Sequence, residues 1–130
     1  MGTRPDITMS PDEVRAFLAT QTRAVVVALA DGVPVGSVGA LALARADEGV
    51  DAVDTVDAIE VTLAPDDPLV GLLGADDRVC VIAEEFPDYR SITGVCAHGR
   101  AEPVAGRDRP TWRVTLDDTT SFAFAKIPRA

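Results

Sequence analysis

Apolar residues along this chain mostly recur in short runs or at every second position, and only two stretches carry a helical spacing. Val14, Phe17 and Leu18 stand at i, i+3 and i+4 behind Ser10-Pro11-Asp12-Glu13. That tetrad combines a capping serine, a proline at the first helical position and a glutamate that can reach back to the cap, so it predicts an amphipathic helix ending near Thr20. The run Ala24–Ala30 is continuous enough for a buried strand and closes on Asp31-Gly32, a tight-hairpin dipeptide that sends Val33–Leu43 back antiparallel. Ala58–Leu63 alternates as a half-buried strand. Ala64-Pro65-Asp66-Asp67-Pro68 breaks it, and Asp66 or Asp67 caps a short second helix through Leu69, Val70, Leu72 and Leu73 to Gly74.

Val79–Val104 reads as two strands about the turn Phe86-Pro87-Asp88, with Gly94 and Gly99 inside the second. A glycine within a strand marks a bulge, a corner or a close approach by something else. Trp112–Leu116 and Ser121–Ile127 complete the pattern, the last with Phe122, Phe124 and Lys126 on one face. Residues 1–9 read as a loose arm and Arg45–Asp57 as an acidic, solvent-exposed connection. Many short antiparallel strands with two short helices predict a mostly β fold, a small β-barrel with peripheral helices, as one domain over residues 1–130.

Charge narrows the function classes. The 12 Lys and Arg against 21 Asp and Glu give a net charge of −9, which repels phosphate backbones and anionic lipid, so neither nucleic acid nor membrane is expected as a partner. No apolar run reaches membrane-helix length and no leader pattern opens the chain, so the cytoplasm is the expected location. Cys80, Cys96 and His98 allow a three-ligand zinc site to be drawn. Without Cys-x-x-Cys or His-x-x-x-His spacing, free thiols in the core are the favoured reading and no metal is expected. The carboxylates of 45–57 do not match a calcium loop. No nucleophile with a partnered base is identifiable, and His98 has no recognisable carboxylate partner, so no catalytic residue is assigned.

Several segments together resemble the pyridoxamine 5′-phosphate oxidase-like proteins, the FMN-binding split barrels, from Pro11 to Ile127. They are the helix 11–18 with its following strand and Asp31-Gly32, the segment Leu63–Val81, Asp88-Tyr89-Arg90 leading to Gly99-Arg100-Ala101-Glu102, and Ser121–Ile127. The resemblance implies a split β-barrel homodimer with flavin sites in the crevice between the chains, binding FMN, a deazaflavin or occasionally haem, and oxidising or reducing a small molecule by hydride transfer. It further implies Ser37, Thr62, Leu63 and Arg78 as cofactor-binding positions; Trp112, the sole tryptophan, joins them as a residue that stacks on a ligand or fills a core or interface.

One departure qualifies the cofactor. Where flavin-binding relatives place a basic residue after the strand and a lysine near the helix start, this chain has Pro65 and Leu69, flanked by Asp66 and Asp67. A phosphate dianion there meets carboxylates, which argues against FMN in the usual mode. The second expectation is therefore a relative that has lost flavin binding and serves as a binding or structural dimer.

Overall fold

The computed structural model describes residues 6–45 and 57–128. The helix α1 (Pro11–Ala19) leads into β1 (Arg23–Ala30), β2 (Val33–Arg45), β3 (Asp57–Thr62), α2 (Pro68–Ala75), β4 (Arg78–Glu85), β5 (Thr93–Arg100), β6 (Glu102–Pro103), β7 (Thr111–Thr115) and β8 (Thr119–Ala123). The strands form one eight-stranded antiparallel sheet in the order β6-β7-β3-β2-β1-β4-β5-β8. It curls as a half-barrel, bringing Gly99 of β5 against Val114 of β7. This is a split β-barrel with peripheral helices.

Local chemistry sets the element boundaries. Ser10 Oγ accepts from Glu13 N while Glu13 Oε1 accepts from Ser10 N, the reciprocal capping box that starts α1. Asp31 (φ 50°) and Gly32 (φ 79°) both take positive φ, as a two-residue hairpin turn matched to strand twist requires. Asp67 Oδ1 accepts from Leu69 N and caps α2.

Alternation along the strands divides the sheet into two faces. The inner face, with Val26, Leu41, Ile59, Val61, Val81, Val95 and Val114, packs into one core that Val14 and Leu18 of α1 and Leu69 and Leu73 of α2 complete.

Three details differ from the sequence expectations, and a fourth expectation falls outside the described residues. The described end of the N-terminal arm is docked: Ala123 N donates to Ile7 O at 2.8 Å, Met9 N donates to Ser121 Oγ at 2.9 Å, and the Met9 side chain is buried. The strand expected over Ser121–Ile127 stops at Ala123, because the chain turns as a 3₁₀ segment at Phe124–Lys126. The second strand of the Val79–Val104 hairpin breaks at Ala101: its N–H still bonds Asp77 O at 2.7 Å in the β4–β5 register, and the chain beyond it changes partner, pairing Glu102 and Pro103 with β7. The carboxylates expected in the acidic connection lie mainly in 46–56, outside the described residues.

Candidate functional site

Gly94 and Gly99 have different causes. A Cβ at Gly94 would sit 2.4 Å from Phe122 Cζ and 2.7 Å from Cε1, so the glycine is required by an aromatic ring of the adjacent strand. Gly99 meets only Val114 Cγ1, at an ordinary 3.7 Å. At Gly39 the neighbours are Thr62 O at 3.0 Å and Leu63 Cδ2 at 3.1 Å, where the end of β3 lies close against β2.

The residues predicted to bind a cofactor fall on both faces of the sheet. Ser37 pairs with Val26, which is fully buried, so it shares the inner face and donates through Oγ to Asp67 Oδ2 at the start of α2. Leu63 is 1% exposed and Trp112, opposite Val61, is 6% exposed; both side chains belong to the core, which for Trp112 is the filling role rather than the stacking one. Thr62 lies on the outer face, where its Oγ1 is 3.1 Å from Thr111 Oγ1. Arg78 is also outward, but three strand intervals from β3, about 14 Å away. It is committed to Asp76, with Nε–Oδ1 at 3.0 Å and Nη2–Oδ2 at 2.7 Å. That pairing holds the Asp76 carboxyl down at about 2. Within one chain the five positions therefore do not line one pocket.

The corner between β3 and α2 does not fit a phosphate. Asp67 occupies it with both oxygens, one on the Leu69 amide and one on Ser37, while Pro65 and Leu69 bring no charge. The outer-face arginines beside Thr62 and Thr111 are held by one carboxylate: Glu60 accepts from Arg107 at 3.0 Å and from Arg113 at 2.7 Å.

A concave apolar surface lies on the outer face of β2, β1 and β4. Val25 is 41% exposed, Val38 opposite it 62%, and Phe86 beyond β4 61%. With Ile82, which pairs with Val25, and with Arg23 and Glu84 at one end, they line an open groove of about 380 Å³. Arg23 is a cation on the outer face at the end of this groove; it stands opposite Ala40, which in turn pairs with Thr62. Sequence reading missed this groove. The period-two placement of Arg23, Val25 and Val27 against buried Ala24, Val26 and Ala28 was the available signal, hidden because every position from 24 to 30 is apolar.

Further along the outer face, Cys80 on β4 and Cys96 and His98 on β5 stand together, with Cys80 directly opposite His98. Their ligand atoms all lie within 4.8 Å of one another. Partial burial, then the Cys80 thiol and the carboxylates of Asp118 and Glu84, push the Cys96 thiol up to about 12.

Solved structures of similar shape cover 89% to 100% of this chain. A conserved hypothetical protein of Mycobacterium tuberculosis superposes with a TM-score of 0.73 at 19% identity, covering 100% of this chain and 96% of its own. A FAD-binding protein of Mesorhizobium loti gives 0.71 at 15% identity, over 89% of this chain and 94% of its own. A candidate pyridoxamine 5′-phosphate oxidase of Corynebacterium glutamicum gives 0.66 at 15% identity, over 99% and 100%. The fold is that of the pyridoxamine 5′-phosphate oxidase-like split barrels. No family model matches the sequence, and no curated protein does. At these identities the likeness extends to the split-barrel fold and not to any residue of a site.

Proposed function

We propose that the protein is a flavin-type oxidoreductase acting on a small molecule, as a homodimer whose crevice includes the outer-face groove. The groove carries this reading: in a chain of net charge −9, three large apolar side chains, Val25, Val38 and Phe86, stay exposed around a concave surface. A planar aromatic ring system or a second copy would cover such a surface favourably. The fold neighbours, one named as FAD-binding and one as a candidate pyridoxamine 5′-phosphate oxidase, support a flavin-type ring as the occupant. Bound there, a flavin supplies hydride-transfer chemistry. The chain's part is to bind the ring on Val25, Val38 and Ile82 and to offer Arg23 to the polar tail.

Because Asp67 fills the β3–α2 corner, a terminal phosphate gains nothing there, and FMN has no large advantage over riboflavin. Fluorescence titration with riboflavin, FMN, FAD and a deazaflavin tests this. Expected is binding of a flavin that falls at least about tenfold, ~1.4 kcal/mol, on Val38→Asp; equal affinity of wild type and Val38→Asp overturns the groove as the site. A second reading is favoured by the same Asp67 contacts: a structural dimer that binds no flavin. Absence of binding by every flavin with the dimer retained would select it.

A further inference from the structure

We propose that Cys80, Cys96 and His98 form a binding site for a zinc-type divalent cation on the outer face of the sheet. Strand register builds the site from residues that sequence spacing alone leaves unconnected. Cys96 and His98 are two apart on β5 and so share a face, and the pairing of Cys80 with His98 brings the third donor from β4 onto that face. Cys96 Sγ is 4.0 Å from His98 Nδ1, and all three donor atoms lie within 4.8 Å of one another. A tetrahedral zinc with bonds of about 2.3 Å to sulfur and about 2.0 Å to nitrogen holds its donors about 3.5–3.8 Å apart. Closing the widest pair by roughly 1 Å is within rotamer adjustment for half-buried side chains.

The imidazole is already oriented for this role. His98 Nε2 is 3.0 Å from Thr120 Oγ1 on β8, so with Nε2–H donating to that hydroxyl, Nδ1 presents its lone pair toward the thiols. Metal-bound histidines are typically fixed in this way through the other ring nitrogen. Two thiolates and a neutral imidazole balance the charge of a dication, with the two thiol protons released to solvent on binding. Soft sulfur donors select zinc over magnesium or calcium, and Glu84 and Asp118, whose charges act on Cys96, add an attractive field. Three protein ligands leave the fourth position to water, the arrangement of an open zinc site.

Cobalt(II) titration of the full chain, kept reduced by a phosphine that does not bind metal, tests the assignment. Expected is one cobalt per chain with a thiolate-to-metal charge-transfer band and intense tetrahedral visible bands, both removed by zinc. Cys96→Ser should abolish the charge-transfer band or sharply weaken it. Thr120→Val should keep the spectrum while lowering affinity about 10–100-fold. A weak octahedral cobalt spectrum with no thiolate band in the wild type would overturn the site, whatever the folding of any variant, and so would a band unchanged in Cys80→Ser and Cys96→Ser.

Discussion

Replacing Gly94 by alanine tests the reason for the glycine near the start of β5. The new Cβ would lie 2.4 Å from Phe122 Cζ, where ordinary contact begins at 3.4 Å, so the ring must retreat by about 1 Å. It is not free to do so at no loss, because Phe122 also packs on Phe124 with centroids 6.0 Å apart, and Phe124 meets Tyr89 edge-on at 6.3 Å. Overpacking of this kind costs about 1–3 kcal/mol. Alanine recovers about 0.4–1 kcal/mol by restricting the unfolded chain. The net expectation is a loss of about 1 kcal/mol for Gly94→Ala in urea denaturation. In a Phe122→Ala background the clash is gone and the same substitution should be neutral or stabilising, a coupling of at least ~1 kcal/mol. Equal destabilisation in both backgrounds would refute the ring as the cause and return the space at Gly94 to some other occupant.

Other expectations follow from the caps, the charges and the groove. Ser10→Ala should cost about 1 kcal/mol, since it removes the hydroxyl that accepts from Glu13 N, and urea titration reads it directly. Lys126, and then the Ser10 amide, hold the Glu13 carboxyl at about 2, and Arg78 holds Asp76 at about 2. Both folded values lie below the ordinary carboxylate values of 4.5 and 3.8, so the stability they contribute is full above that range and is lost as pH falls toward 2. Glu13→Gln, which keeps the capping geometry, should flatten part of that acid loss in a urea midpoint series; parallel profiles for wild type and variant would contradict it. If the outer groove joins two copies, Val38→Asp should shift the sedimentation equilibrium toward monomer, and an unchanged dimer would exclude Val38 from the interface.

What was legible in the sequence was local. The capping box at Ser10–Glu13, the Asp31-Gly32 turn and the α2 cap each depend on residues within a few positions of one another; the first two form as read, and of the two aspartates offered for the third it is Asp67 that caps. The mostly β character followed from period and punctuation. What escaped depended on register between distant strands. Ser37 and Thr62 both stand among the positions expected to bind a cofactor, and the pairing of Ser37 with Val26 and of Thr62 with Ala40 puts them on opposite faces of the sheet. Trp112 faces inward through its pairing with Val61. The ring over Gly94 comes from a strand whose alternation looked longer than it is, since the 3₁₀ turn at Phe124 ends it. The Cys80–Cys96–His98 grouping was drawn and set aside for want of a spacing motif; a sheet needs none, because register supplies the proximity that a loop motif obtains from spacing.

At the β3–α2 corner Asp67 bonds both Ser37 and the Leu69 amide, so a carboxylate already holds the amide at the first turn of α2 that a phosphate would use. The direct test is the ratio of FMN to riboflavin affinity for the purified chain. The two should bind within about tenfold of each other, a difference under ~1.4 kcal/mol. FMN binding 100-fold or more tighter than riboflavin, about 2.7 kcal/mol, would contradict it and place a phosphate anchor somewhere on this protein.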